Sequence, residues 1–189
     1  MICSKSDKDS KEKVITTLKN KKIVVIPTDT VYGFSGIYDS EVAEKIREIK
    51  GRAENKPFIQ LIARPEDLKK YTDDSIPEKL LKYWPGPLTI IVNDKRLQND
   101  EIKTTAFRCP GALWLRQILS EIEVPVYSTS LNRSGEPVLY EENEILKEFS
   151  SEADLIVLDG DKKDALPSTI VRCTGGEIKI LRQGSLKIE

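Results

Sequence analysis

The stretch Ile23-Val24-Val25-Ile26-Pro27-Thr28-Asp29-Thr30-Val31-Tyr32-Gly33 decides the fold class. Four consecutive β-branched residues closed by a proline read as a buried strand over residues 23–26. The run 28–36 is rich in Thr, Gly and Ser and reads as a loop. Open α/β sheets place ligands at the C-terminal ends of their strands, and a hydroxyl-rich loop there can bind one. A structural turn with Thr and Asp as local caps would use the same residues.

Outward from this stretch, helical and strand periods alternate. Val14, Ile15 and Leu18 mark a helix over 10–19. Ser40 is the expected N-cap of a second helix, with Val42, Ala43, Ile46 and Ile49 on its apolar side and Gly51 as its stop. Strands are expected over 58–63, 88–92, 104–107, 124–127 and 155–158. Shorter helices follow Pro65 and Pro77, the latter carrying Leu80, Leu81 and Trp84 before Pro85-Gly86-Pro87 breaks it. Pro110 opens a helix through Leu113, Trp114, Ile118 and Leu119, and 141–149 reads as another. Residues 128–135 read as a polar loop. Residues 169–172 and 178–181 read as a hairpin about Thr174-Gly175-Gly176-Glu177. The pattern predicts an α/β protein: one open, twisted, mixed sheet with flanking helices. Residues 10–189 form its single domain, and residues 1–9 are expected to be a mobile segment without a role.

Composition narrows the chemistry. The chain has 189 residues, 30 Lys and Arg against 31 Asp and Glu, and no histidine. The net charge of -1 supplies no global field for nucleic acid or a membrane surface. Without histidine, no Ser-His-Asp or Cys-His mechanism can operate within the chain. The three cysteines, Cys3, Cys109 and Cys173, have neither disulfide nor zinc spacing, and the latter two are expected to be buried thiols. The N-terminus lacks the apolar core of a signal peptide and no stretch is long enough to span a bilayer, so a cytoplasmic protein is expected.

Several segments could hold an anion. Lys50-Gly51-Arg52, with Lys56 beyond, is either a phosphate clamp or a set of cations that favour a helix C-terminus. Ser128-Thr129-Ser130-Leu131-Asn132 follows a strand, and its hydroxyls suit phosphate or sugar oxygens as well as a plain turn. Pro167-Ser168-Thr169, Arg108 and Leu181-Arg182-Gln183-Gly184 lie beside other strand ends. The P-loop and dinucleotide fingerprints are absent.

Taken in order, with Trp84-Pro85-Gly86-Pro87-Leu88-Thr89, Phe107-Arg108-Cys109-Pro110 and Pro167-Ser168-Thr169-Ile170, these segments resemble the YrdC-like family of threonylcarbamoyl-AMP synthases. The resemblance runs from about residue 22 to 184 and implies a YrdC-like fold with a basic concave surface. It also implies a nucleotidyltransferase that condenses L-threonine, bicarbonate or CO2 and ATP, with Mg2+ on the phosphates, to threonylcarbamoyl-AMP and pyrophosphate. That product serves N6-threonylcarbamoyladenosine (t6A) formation at position 37 of ANN-decoding tRNAs, through a separate transferase complex. Carried over by position, Thr30, Arg108, Ser128 and Ser168 would surround threonine. Arg52, Lys56, Thr104, Ser130, Asn132, Val138 and Arg182 would contact ATP, and Lys50 and Arg52 would be catalytic. Leu61 stands where some members place a histidine near threonine. The chain resembles the short, single-domain type. An RNA-binding module of the same fold, without catalysis, is the alternative, and the hydrogenase-maturation carbamoyltransferases that share the domain carry zinc motifs that this sequence lacks.

Overall fold

A computed structural model describes residues 1–53, 57–97 and 103–188. Its strands, in chain order, are β1 (Ile2–Ser4), β2 (Val24–Ile26), β3 (Gly33–Ile37), β4 (Ile59–Leu61), β5 (Leu88–Asn93), β6 (Thr104–Arg108), β7 (Val126–Ser130), β8 (Leu155–Leu158), β9 (Thr169–Thr174) and β10 (Glu177–Arg182). The helices are α1 (Ser10–Lys19), α2 (Ser40–Lys50), α3 (Glu78–Leu81), α4 (Leu113–Ile122) and α5 (Glu142–Phe149). The strands join in one mixed sheet, in the order β1-β8-β2-β3-β7-β4-β6-β5-β9-β10. This is the open mixed architecture expected from the sequence, and it carries helices on both faces.

The unbroken apolar run at 23–26 follows from those two layers. Val24 and Ile26 join α1 and α4 in one core cluster. Ile23 and Val25 join α2 and α5 in the cluster on the opposite face. A strand covered on both sides has no solvent-facing position, so it shows no polar alternation. The other half of the sheet behaves differently. Leu88, Ile90, Phe107, Cys109, Val171 and Cys173 point into a third cluster with Leu80 and Trp84. Their alternates Ile91, Ala106, Arg108 and Ile170 face a cavity instead. One face of β5, β6 and β9 is therefore core and the other is the floor of a site.

Four expectations are corrected. Residues 28–36 are not all loop, because β3 starts at Gly33 and pairs antiparallel with β2 and β7. Its small residues serve close packing: a Cβ on Gly33 would lie 2.8 Å from Thr129 O, and one on Gly36 would lie 2.3 Å from Val42 Cγ1. Residues 128–130 are likewise strand, since β7 continues past Tyr127 through Ser130 and displays its hydroxyls from a fixed ladder. The N-cap of α2 is Asp39 rather than Ser40, with its Oδ1 accepting from the amides of Glu41 and Val42 at 3.0 and 3.3 Å. Finally, residues 1–9, expected as a mobile segment, hold β1. It pairs parallel with β8, and Cys3 is buried in the core.

Tyr32 ties the decisive stretch to the segment that follows β8, the strand beside β2. Its ring is wholly buried. Its hydroxyl accepts from the Asp159 amide at 2.7 Å and donates to Gly160 O at 2.8 Å. Burial pushes the hydroxyl's pKa up, so it stays a donor. Tyr32→Phe should therefore strand a partly buried amide and lower unfolding free energy by about 1–3 kcal/mol in urea titration, with an unchanged slope. An unmoved midpoint would show that these bonds contribute nothing.

Candidate active site

A cavity of about 260 Å³ opens over the floor formed by β4, β5, β6 and β9. Its walls come from five distant segments: the β2–β3 loop, Arg52 after α2, Ser128 to Ser130 on β7, Pro167 and Ser168 before β9, and Arg182 at the end of β10. Arg52, Arg108 and Arg182 all line it, and no acidic side chain does among the described residues. Burial is the main force lowering the pKa of each guanidinium, and Arg108 adds repulsion at Arg182. Cations crowded into a partly dry hollow favour an anionic occupant.

Arg108 sits deepest, only 5% exposed. Its Nε donates to Gly86 O at 3.2 Å and its Nη1 to Thr30 Oγ1 at 2.8 Å. Its Nη2 lies 2.7 Å from Asp29 Oδ1 as an ion pair, yet has no aligned hydrogen-bond acceptor among the described residues. The hydroxyl polarities beside it can be worked out. Thr28 Oγ1 uses its one proton on Val31 O at 2.8 Å. In its 2.9 Å contact with Thr30 Oγ1 it must therefore accept. Thr30 thus donates to Thr28 and accepts from Arg108, which leaves one lone pair for a ligand's donor. Next to an arginine fork, this pairing suits a carboxylate with an adjacent N–H or O–H group.

Arg52 reaches the cavity from the opposite wall. Nη1 donates to Thr129 Oγ1 at 3.1 Å, Nη2 donates to Pro57 O at 3.0 Å, and the guanidinium lies over the Phe58 ring. Arg182 crosses from the sheet edge and donates from Nε and Nη2 to Ser168 O, at 3.1 and 2.8 Å. Its Nη2 also lies 3.2 Å from Ser168 Oγ, which in turn lies 2.8 Å from the buried Thr89 hydroxyl. Arg182 and Ser168, assigned from the sequence to different substrates, thus form one unit.

Lys50 is placed differently from expectation. It is 2% exposed and does not line the cavity. Its ammonium donates to Ser130 O, to Asn132 O at 2.7 Å and to Asn132 Oδ1 at 3.0 Å, which occupies all three protons. Burial pulls its pKa down to about 7, with Arg52 and Arg133 adding repulsion. The same Asn132 Oδ1 accepts from Ser130 Oγ at 2.7 Å. Lys50 and Asn132 are therefore a clamp behind the wall that carries Ser130, rather than groups facing a phosphate.

The structure gathers Thr30, Arg52, Arg108, Ser128, Ser130, Ser168 and Arg182 around one cavity. Thr104 is outside the lining, although it shares a face of β6 with Ala106 and Arg108. Val138 is also outside it, beside Leu139, whose amide bonds to Leu131 O at 2.9 Å. Lys56 lies outside the described residues. Leu61 is 1% exposed in the core. The sequence reading did not single out Asp29, Thr89 or Thr129 for a role. All three lay inside quoted motifs, Thr89 at the start of an expected strand, but none carried an assigned role.

Comparison with known proteins agrees with this geometry. The Sua5/YciO/YrdC family model, described as telomere recombination, matches residues 16–184. The threonylcarbamoyl-AMP synthase of Pyrococcus abyssi is 29% identical over 91% of this chain and 53% of its own length. A Methanocaldococcus jannaschii protein, provisionally assigned the same activity, is 31% identical over 97% of this chain and 91% of its own. The crystal structure of P. abyssi Sua5 complexed with L-threonine superposes with a TM-score of 0.86 at 27% identity, covering 98% of this chain and 58% of that one. The chain thus spans about half the length of the P. abyssi relative. Fold, cavity and sequence agree in placing it: the chain belongs to the Sua5/YciO/YrdC family.

Proposed function

We propose that the chain makes threonylcarbamoyl-AMP and pyrophosphate, with release of water, from L-threonine, bicarbonate and ATP. The observation that carries this reading is the buried Arg108 fork beside the acceptor Thr30, facing two further arginines across one cavity. Relatives named for this activity and a neighbour complexed with L-threonine support it. Arg108 pairs with the amino acid's α-carboxylate, and Thr30 accepts from a donor next to it. Ser128 and Ser168 close that end. Arg52, Ser130 and Arg182 take the phosphates.

The chemistry suits a chain without histidine. Bicarbonate takes up a proton and loses water to give CO2, to which the neutral amine adds to form a carbamate, its proton leaving to solvent. A carbamate oxygen then attacks the α-phosphorus in line, and the bond to the pyrophosphate oxygen breaks. The nucleophile is already an anion, so the site's task is to bring two anions together and stabilise the leaving charge. Among the described residues no cluster of acidic or thiol side chains could hold a metal ion. In this reading Mg2+ is carried on the phosphates of the nucleotide substrate. The product passes to a tRNA-modifying transferase in the cytoplasm. Among the described residues, no helix is long and apolar enough to cross a membrane.

Incubation with ATP, Mg2+, L-threonine and labelled bicarbonate should yield the mixed anhydride by mass spectrometry. Absence of a threonine-dependent product would refute the reading. Arg52→Ala should slow pyrophosphate release by about two to three orders of magnitude while the protein stays folded.

Lys50→Met should weaken use of ATP without any loss of direct phosphate contact. Its effect on kcat/KM for ATP should therefore shrink severalfold in a Ser130→Ala background, as expected for partners acting through one loop. Equal effects in both backgrounds would mean that Lys50 acts independently of Ser130.

A further inference from the structure

We infer that Asp29 is a positioning residue for amino-acid recognition, holding the Arg108 guanidinium in the plane that receives the substrate carboxylate. This inference rests on the proposed assignment of Arg108 to the amino acid.

The carboxylate of Asp29 joins two segments that are far apart in the chain. Oδ2 accepts from the Gly111 amide at 2.9 Å, and Oδ1 lies 2.7 Å from Arg108 Nη2. Asp29 is exposed along its backbone, but its side chain is 18% exposed and that of Arg108 6%. Arg108 has two further contacts, Gly86 O on Nε and Thr30 Oγ1 on Nη1, and both are neutral. Asp29 supplies the one negative charge in contact with this cation among the described residues. A buried charge that loses its partner is strongly disfavoured and moves toward water or draws water in. Either outcome would turn the fork away from the cavity.

Space around Gly111 supports the same reading. A Cβ there would sit 2.9 Å from Asp29 Oδ2 and 3.4 Å from its Cγ. The carboxylate thus occupies the place a side chain at 111 would take. The purpose of the glycine is room for Asp29, because its backbone lies outside the positive-φ set. Asp29 does not line the cavity, so it reaches a ligand only through Arg108.

Two substitutions separate the charge from the hinge to Gly111. Asp29→Asn keeps an oxygen for the Gly111 amide and removes the charge. Gly111→Ala keeps the charge and crowds the carboxylate out of place. Steady-state kinetics should show the KM for L-threonine rising at least tenfold in Asp29→Asn, with the KM for ATP within twofold of the parent. Gly111→Ala should show the same split at smaller size. If Asp29 merely braces the fold, both constants will move together or neither will, and the inference fails. Should Asp29→Asn not fold, Gly111→Ala decides alone. Arg108→Ala is the reference: if it spares threonine use, the assignment of Arg108 itself is wrong. If it abolishes threonine use while both other variants leave the KM unchanged, only the role of Asp29 falls.

Discussion

Arg108 is a permanent cation held almost out of water, and the site is arranged around that fact. A guanidinium in this position needs its charge and its donors answered by near neighbours. Asp29, Thr30 and Gly86 answer most of them, from the loop after β2 and from the Pro85-Gly86-Pro87 turn. The partners arrive from separate parts of the chain, so the cation can be placed only once the sheet is assembled. Nη2 lies 2.7 Å from Asp29 Oδ1, so the cation's charge is met by a carboxylate of the same chain on the side away from the cavity lining.

The mixed topology makes the rest possible. Between β4 and β6 the pairing is parallel, and on either side, at β7 and β5, it is antiparallel. Connections therefore return over the same face from several directions. The loop after β2, the end of β7 and the lead-in to β9 meet above the floor formed by β4, β5, β6 and β9. The alternation on β5, β6 and β9 then sorts side chains: Phe107 goes to the core and Arg108 to the cavity, one residue apart. The cavity this builds is lined by three arginines, in a sequence that has no histidine.

Much of this was legible from the sequence, for identifiable reasons. Long apolar periods located α1, α2, α4 and α5, and the β-branched run at 23–26 located the central strand. Anion-binding segments were visible because hydroxyl and cationic residues clustered at strand ends. What escaped was set by tertiary contact. Gly33 to Gly36 look like a loop by composition, but the missing side chains of Gly33 and Gly36 let β7 and α2 close on β3. Ser128 to Ser130 look like a turn, but the ladder to β3 fixes them as strand. The short β1 has too little pattern to detect before β8 is there to pair with it. The hydrogen bond between Thr89 and Ser168 spans 79 positions and leaves no local signal.

The motif Lys50-Gly51-Arg52 shows why listing a signature is not the same as assigning its chemistry. Gly51 adopts φ 59 and ψ 41, the left-handed conformation that ends α2. A Cβ there would meet nothing within 4 Å, so the demand for glycine is conformational and not steric. That turn separates its neighbours. Lys50, still on the helix, points under β7 and fastens the Ser130–Asn132 segment, while the Ser134 amide bonds back to Lys50 O at 2.7 Å. Arg52, past the turn, lies over Phe58 and enters the cavity. Two cations two residues apart thus do different work: one fixes the wall and the other faces what the wall encloses. Lys50 spends its donors on three protein oxygens, so on this side the charge that lines the cavity is that of Arg52.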